Sequence, residues 1–272
     1  MTSSSPAAPS PTKFEIFRDL HHRDLPLVLP NAWDFASAAL LANEGFPAVG
    51  TTSLGVAAAA GLTDGVGATK VETLAAAHRL ARLPIPVTVD IEGGFDERPD
   101  AVAYLAEQLA ACGIAGVNLE DSRAGSALTD PRHQAVLIGA IKDRTPELFV
   151  NARVDTYWLG LDHGSTHERV RRYAAAGADG VFVPGLTDPA RIERIVAATA
   201  LPVNILYSVT GPGVATLADL GVRRISTGSL LYRAALSAAV DVARAVRHDA
   251  PVAPGIVGYS DIQRLLPAPD GC

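Results

Sequence analysis

With 272 residues, 48% of them apolar and 19% charged, the chain has ample material for a packed interior and no compositional sign of disorder across its body. A formal net charge of -6, with no clustering of its 23 Lys and Arg residues, excludes an electrostatic footprint for nucleic acid and leaves small molecules as the expected partners. No run approaches the ~18 uninterrupted apolar residues of a membrane-spanning helix.

Met1 to Thr12 is rich in Ser, Pro and Ala, without a basic start or an apolar run, so it reads as a disordered tail rather than a secretory signal. Residues 13–250 are expected to form one domain, since barrels of alternating strands and helices reach about 250 residues around a single core. From Leu27 onward, β-branched or apolar runs alternate with longer Ala/Leu-rich segments of helical period. Strands are expected at 27–32, 48–53, 87–92, 116–121, 148–155, 180–185, 203–208 and 224–228, eight in all. Helices fit at 34–44, 69–82, 99–111, 131–143, 166–176, 188–199, 213–220 and 229–247. Asp34, Asp130 and Asp188 stand near helix starts, where a carboxylate caps free N–H groups. Gly45, Gly113, Gly177 and Gly221 stand where a left-handed residue ends a helix cheaply, and each leads within a few residues into a strand.

Eight apolar strands joined by helical crossovers close more naturally into a (β/α)8 TIM-type barrel than into an open sheet. No GxGxxG follows the first strand to favour the doubly wound alternative. Residues 251–272 form a C-terminal extension in which Ser260 to Leu266 has the pattern of a short amphipathic helix. Cys112 and Cys272 match neither a metal spacing nor a disulfide framework, which fits a reducing compartment and a cytoplasmic protein.

In such a barrel, catalytic groups come from the C-terminal ends of several strands. VTVDIEGG places Asp90 and Glu92 two apart, on one face of their strand. VNLED delivers Glu120 and Asp121 at the matching height, and NARVD delivers Asn151, Arg153 and Asp155. Carboxylates gathered in this way require a compensating cation. Asp90, Glu92 and Glu120 offer only oxygen, so Mg2+ or Mn2+ is expected rather than zinc or copper. Taken singly, each acid could equally be a cap or a rim ion pair, and Asp121 fits a cap or an Arg partner better than a ligand. The loop after strand two contains Thr52-Ser53-Leu54-Gly55 and is closed by Asp64; its hydroxyls and N–H groups can meet an anion or simply connect two elements. Arg153 fits a carboxylate or phosphate in fork geometry, or a buried ion pair with Asp155.

As a set, LPNAWD, GTTSLG, VDIEGG, NLEDS, NARVD and PVNI resemble the isocitrate lyase and phosphoenolpyruvate mutase superfamily, over roughly Phe14 to Arg247. The resemblance implies a (β/α)8 barrel with Mg2+ held largely through water by Asp90, Glu92 and Glu120. It implies a small 2-oxo acid or its enolate met by Thr52, Ser53, Leu54, Arg153 and Asn204, and it places Asp64 beside the reacting group. It also implies homo-oligomers, dimers or tetramers, that exchange the eighth helix, here 229–247. Several features differ from that pattern. The Lys-Lys-Cys-Gly-His loop of the isocitrate and methylisocitrate lyases is replaced by DSRAGSALTDP, Glu92 stands where several members have Asp, and strand six ends in Pro184-Gly185 where mutase-like members offer a histidine.

The leading expectation is therefore a Mg2+-dependent lyase that makes or breaks a carbon–carbon bond of a small 2-oxo or 2-hydroxy dicarboxylate through an enolate, with Asp64, Glu120 and Arg153 as its catalytic residues. Phosphorus–carbon chemistry, by a phosphonopyruvate mutase or hydrolase, is the second reading. A catalytically degenerate barrel that binds a metabolite is the third. A phosphate-binding isomerase, suggested by SVTGPG and STGS, ranks below them.

Overall fold

Short apolar strands alternate with helices throughout the computed structural model, which describes residues 10–124 and 126–266. Residues 1–9 of the expected tail, Gly125, and residues 267–272 with Cys272 lie outside the described residues. The strands are β1 (Leu27–Leu29), β2 (Asn31–Ala32), β3 (Val49–Thr51), β4 (Val87–Asp90), β5 (Gly116–Glu120), β6 (Ser122–Arg123), β7 (Ala127–Leu128), β8 (Phe149–Arg153), β9 (Gly180–Phe182), β10 (Val203–Leu206) and β11 (Arg224–Ser226). The helices are α1 (Lys13–Leu20), α2 (Phe35–Asn43), α3 (Ser53–Ala59), α4 (Lys70–Leu80), α5 (Pro99–Ala111), α6 (Pro131–Arg144), α7 (Thr156–Leu159), α8 (Thr166–Ala175), α9 (Pro189–Ala197), α10 (Val214–Asp219), α11 (Leu230–Arg247) and α12 (Tyr259–Leu265).

All strands but β6 and β7 form one parallel sheet in the order β1-β11-β10-β9-β8-β5-β4-β3-β2. Its ends meet, because β1 and β2 are two halves of a single barrel strand interrupted at Pro30, which has no N–H to give to a ladder. β1 pairs with β11 through Leu27 and Arg224, and β2 with β3 through Asn31 and Gly50. The nine segments thus make the eight strands of a TIM-type barrel. Every residue of β3, β4 and β5 is buried, as strands covered by helices on one side and by barrel filling on the other must be.

Local chemistry fixes the helix ends. Asp34, Asp130 and Asp188 accept from Ser37 N, Arg132 N and Arg191 N at 2.7–2.8 Å. Gly45, Gly113, Gly177 and Gly221 all have positive φ, between 83° and 97°. Six of the eight strands end two or three residues earlier than their composition suggests, whereas the first ends at Ala32 as expected and β5 one residue early at Glu120.

Four elements were not anticipated. In α1, Thr12 and Glu15 form a capping box, so the last residue of the expected tail is a helix cap. Phe17 and Leu20 then pack with Leu27, Leu29, Ala48, Ala115 and Phe149 and stop the N-terminal end of the barrel. His21 stacks on Phe149 at 4.3 Å, with Phe17 edge-on to both. The expected connection 53–59 is helix α3, α7 follows β8, and β6 and β7 form a small antiparallel hairpin. At the other end of the chain, α12 packs on α2, whereas α11 buries only Tyr232 and leaves Leu236, Val240 and Val246 about half exposed or more. Among the described residues no helix is long and apolar enough to cross a membrane.

Candidate active site

A cavity of about 640 Å³ opens at the C-terminal ends of the strands. Thr52, Ser53, Leu54 and Asp64 form one wall, Asp90, Glu120 and Arg153 stand on its inner side, and Trp158, Phe182 and Pro184 lie on its apolar side. Asp90, Glu120 and Arg153 are the last residues of β4, β5 and β8, neighbouring barrel strands in which Glu120 and Arg153 are register partners. Strand order therefore gathers residues more than sixty positions apart.

The Arg153 guanidinium is the hub. Its Nη1 lies 2.8 Å from Glu120 Oε2 and 3.8 Å from Asp90 Oδ2, while Nε donates to Asp155 Oδ1 at 2.6 Å. The rings of Trp158 and Phe182 flank it, each with its centroid 5.7 Å from Cζ. Of the two uses foreseen for Arg153, the ion pair with Asp155 is made, and Nη2 bonds to no acceptor among the described residues. Asp155 is wholly buried and takes a second bond, from Ser122 Oγ at 2.5 Å.

Three buried carboxylates thus share one guanidinium. Burial pushes Asp90 up to about 6, against the pull of Arg153. Burial likewise pushes Glu120 up to about 8, again opposed by Arg153. Burial works against the Arg153 charge as well, but Glu120, Asp155 and Asp90 outweigh it and hold the guanidinium charged far above neutral pH. Asp64, with Oδ1 buried and without a partner among the described residues, adds another negative charge facing Asp90.

Glu92 sits beside Asp90, its N–H donating to Asp90 Oδ1 at 3.0 Å, but outside the strand. The strand ends at Asp90, and Glu92 has φ 48°, so strand alternation no longer applies. Its carboxylate accepts from Gly67 N at 2.9 Å and Thr69 Oγ1 at 2.6 Å, and it lines an adjoining cavity of about 360 Å³. Gly93 lets the Arg123 guanidinium lie close over this turn, since a Cβ there would stand 2.6 Å from Arg123 Nη1 and displace it. Asn204 is buried and does not line the cavity; it accepts at 3.2 Å from Oγ of Ser226, which does. Asp121 is fully paired, taking bonds from Tyr173 Oη at 2.7 Å, Arg169 Nη1 at 2.9 Å and Asp155 N at 2.8 Å.

No group of three or more His, Cys, Asp or Glu side chains is set to enclose a metal ion among the described residues. Asp90 and Glu120 nevertheless present hard oxygen donors to one open cavity. Mg2+ characteristically binds through one or two carboxylates and keeps several waters, so this donor set suits it without a third direct ligand. Among the lining residues not singled out from the sequence are Asn118, two positions before Glu120 on the same strand face, and Arg233, in the first turn of α11. The i, i+2 spacing could have revealed the first. No local pattern points to the second.

The chain matches the phosphoenolpyruvate phosphomutase family over residues 17–247. It is 49% identical over 252 residues to the uncharacterized protein Rv1998c of Mycobacterium tuberculosis, covering 92% of this chain and 95% of that one. It is 32% identical over 193 residues to an oxaloacetate decarboxylase of Ectopseudomonas mendocina, with 66% and 64% covered. The solved structure of a "putative phosphonomutase" from Burkholderia cenocepacia J2315 superposes with a TM-score of 0.80 at 39% identity, over 85% of this chain and 99% of that one.

Proposed function

The chain belongs to the phosphoenolpyruvate phosphomutase family, within the isocitrate lyase and phosphoenolpyruvate mutase superfamily of enzymes, and on that premise we propose that it is a Mg2+-dependent lyase of a small 2-oxo or 2-hydroxy dicarboxylate. The observation that carries this reading is the Arg153 guanidinium, clamped by Glu120, Asp155 and two aromatic rings, with one nitrogen free beside carboxylates that are crowded enough to require a cation.

Asp90 and Glu120 would hold the metal, with Glu92, fixed by Gly67 and Thr69, behind them. When bound, Mg2+ supplies Lewis acidity toward the 2-oxo group and the enolate oxygen. Arg153 Nη2 and the first N–H groups of α3, at Ser53 and Leu54, receive the substrate carboxylate and the negative charge that develops in the reaction. Arg233, which bonds through Nε to Ser229 Oγ at 3.3 Å and forms no ion pair among the described residues, stands on the cavity wall and would meet a second carboxylate. Trp158, Phe182 and Pro184 keep water from that side. Further copies of the chain would cover the apolar face of α11 that the barrel leaves exposed.

Phosphorus–carbon chemistry is the second reading, favoured by Asp64, whose carboxylate oxygen is unpartnered on the cavity wall among the described residues. Assays of oxaloacetate, methylisocitrate analogues and phosphonopyruvate, each with Mg2+ and with chelator, decide between them. Metal-dependent release of pyruvate, oxalate or succinate from oxaloacetate or the methylisocitrate analogues supports the lyase. Turnover of phosphonopyruvate alone overturns it in favour of the second reading. Binding without turnover would leave a metabolite-binding barrel.

A further inference from the structure

Arg224, the first residue of β11, is the largest side chain wholly removed from solvent among the described residues. Only one of its nitrogens has a hydrogen-bond partner among the described residues: Nη2 donates to Asn118 Oδ1 at 3.2 Å, while Nε and Nη1 have none. Burying a guanidinium with so few partners is costly, and replacing such an ion by an apolar side chain of similar volume is often neutral or stabilising. Stability alone therefore gives no reason for a cation at this position.

The bond it makes does give one. A guanidinium has donors and no acceptor, so the Asn118 atom that faces it must be the carbonyl oxygen. Asn151 Nδ2 donates to the same oxygen at 2.9 Å. Two donors on Oδ1 leave the amide a single orientation, with Nδ2 turned the other way. Asn118 lines the large cavity, and its Nδ2 donates to no protein acceptor among the described residues. It is two positions before Glu120, on the inner face of β5, and is the register partner of Asp90.

We infer that Asn118 is a substrate-binding residue whose amide N–H group donates to an oxygen of a small oxoacid anion at the cavity floor, and that Arg224 is the positioning residue that holds this amide in place. The ligand class rests on the functional reading above; the orientation of the amide does not. Arg224 works through its hydrogen bond to Asn118, and it touches neither ligand nor metal.

Calorimetry of oxalate with Mg2+, and melting curves, on Arg224→Met, Asn118→Leu and the double variant test the inference. Arg224→Met is expected to melt at or above the wild-type temperature and yet to weaken oxalate binding about tenfold, the loss of one well-placed donor. Asn118→Leu is expected to weaken binding by the same factor, and the double variant no further than Asn118→Leu alone. A lowered melting temperature with unchanged oxalate affinity overturns the inference, because Arg224 would then be structural. Additive losses also overturn it, because the guanidinium would then act by its charge and not through Asn118. Should wild type bind no oxalate, the ligand class falls with the functional reading, and the orientation is decided by NMR. The side-chain amide signals that Asn118→Leu removes are expected to shift and broaden in Arg224→Met, and unchanged signals overturn the positioning role.

Discussion

The N-terminal mouth of the barrel is stopped by Phe17, Leu20, Leu29 and Phe149, all at most 2% exposed, with a single neutral histidine among them. The C-terminal mouth holds Asp90, Glu120 and Asp155 around one guanidinium, with Asp64 on the wall of the cavity beside them. The first arrangement gains from burying apolar surface, roughly 25 cal/mol per Å². The second sets like charges close together in a site of low dielectric, which costs stability and, on the function proposed above, serves binding and chemistry. Stability and function are thus separated along the barrel axis, and substitutions at the two mouths should have opposite signatures.

Asp90→Ala at the upper mouth should lower turnover on the order of 10³-fold, as loss of a metal ligand or charge-stabilising group does. The melting temperature should hold or rise, since a buried carboxylate is removed. A fall in both, by assay and calorimetric melt, would erase the separation. At the lower mouth, Phe17→Ala should cost about 3–5 kcal/mol by denaturant titration. Oxalate affinity of the folded fraction should stay within about twofold of wild type, and a larger loss would show the two mouths to be coupled.

His21 sharpens the comparison by pH. Burial pulls it down to about 3, and the nearby Arg224 charge adds to this; Nδ1 bonds to Phe17 O at 2.7 Å. A histidine whose folded value is depressed stabilises the protein above its unfolded value near 6.5 and loses that contribution as pH falls toward 3. Between pH 6.5 and 4 the loss should be roughly 3 kcal/mol, and His21→Phe should flatten that part of the profile in chemical denaturation. An unchanged slope would mean that other groups carry the acid sensitivity. The smallest effect on stability is expected away from both mouths. Leu236→Asp and Val240→Asp on the exposed face of α11 should shift the species seen by light scattering toward the monomer while changing the unfolding free energy of each chain by less than about 0.5 kcal/mol.

How much of this was legible follows from how local each signal is. The eight strands and the caps at Asp34, Asp130 and Asp188 depend on neighbours within a turn, and so they could be read directly. Helix α1 could not, because Phe17 and Leu20 find their apolar partners, such as Phe149, far along the chain. Asp90, Glu120 and Arg153 were legible as strand-end polar residues. Strand alternation does not reach Glu92, because it stops where the chain turns to positive φ. Asn118 had the right spacing but no charge to mark it out, and Arg233 reaches the cavity only because β11 and α11 bring it there.

The central claim is that Asp90, Glu120 and Arg153 together bind an oxoacid through Mg2+. Isothermal calorimetry of oxalate with and without Mg2+, on wild type and Asp90→Ala, tests it most directly. Binding that requires Mg2+ and is lost in Asp90→Ala is the predicted result. Equal oxalate affinity in chelator, or in Asp90→Ala with Mg2+, would contradict it.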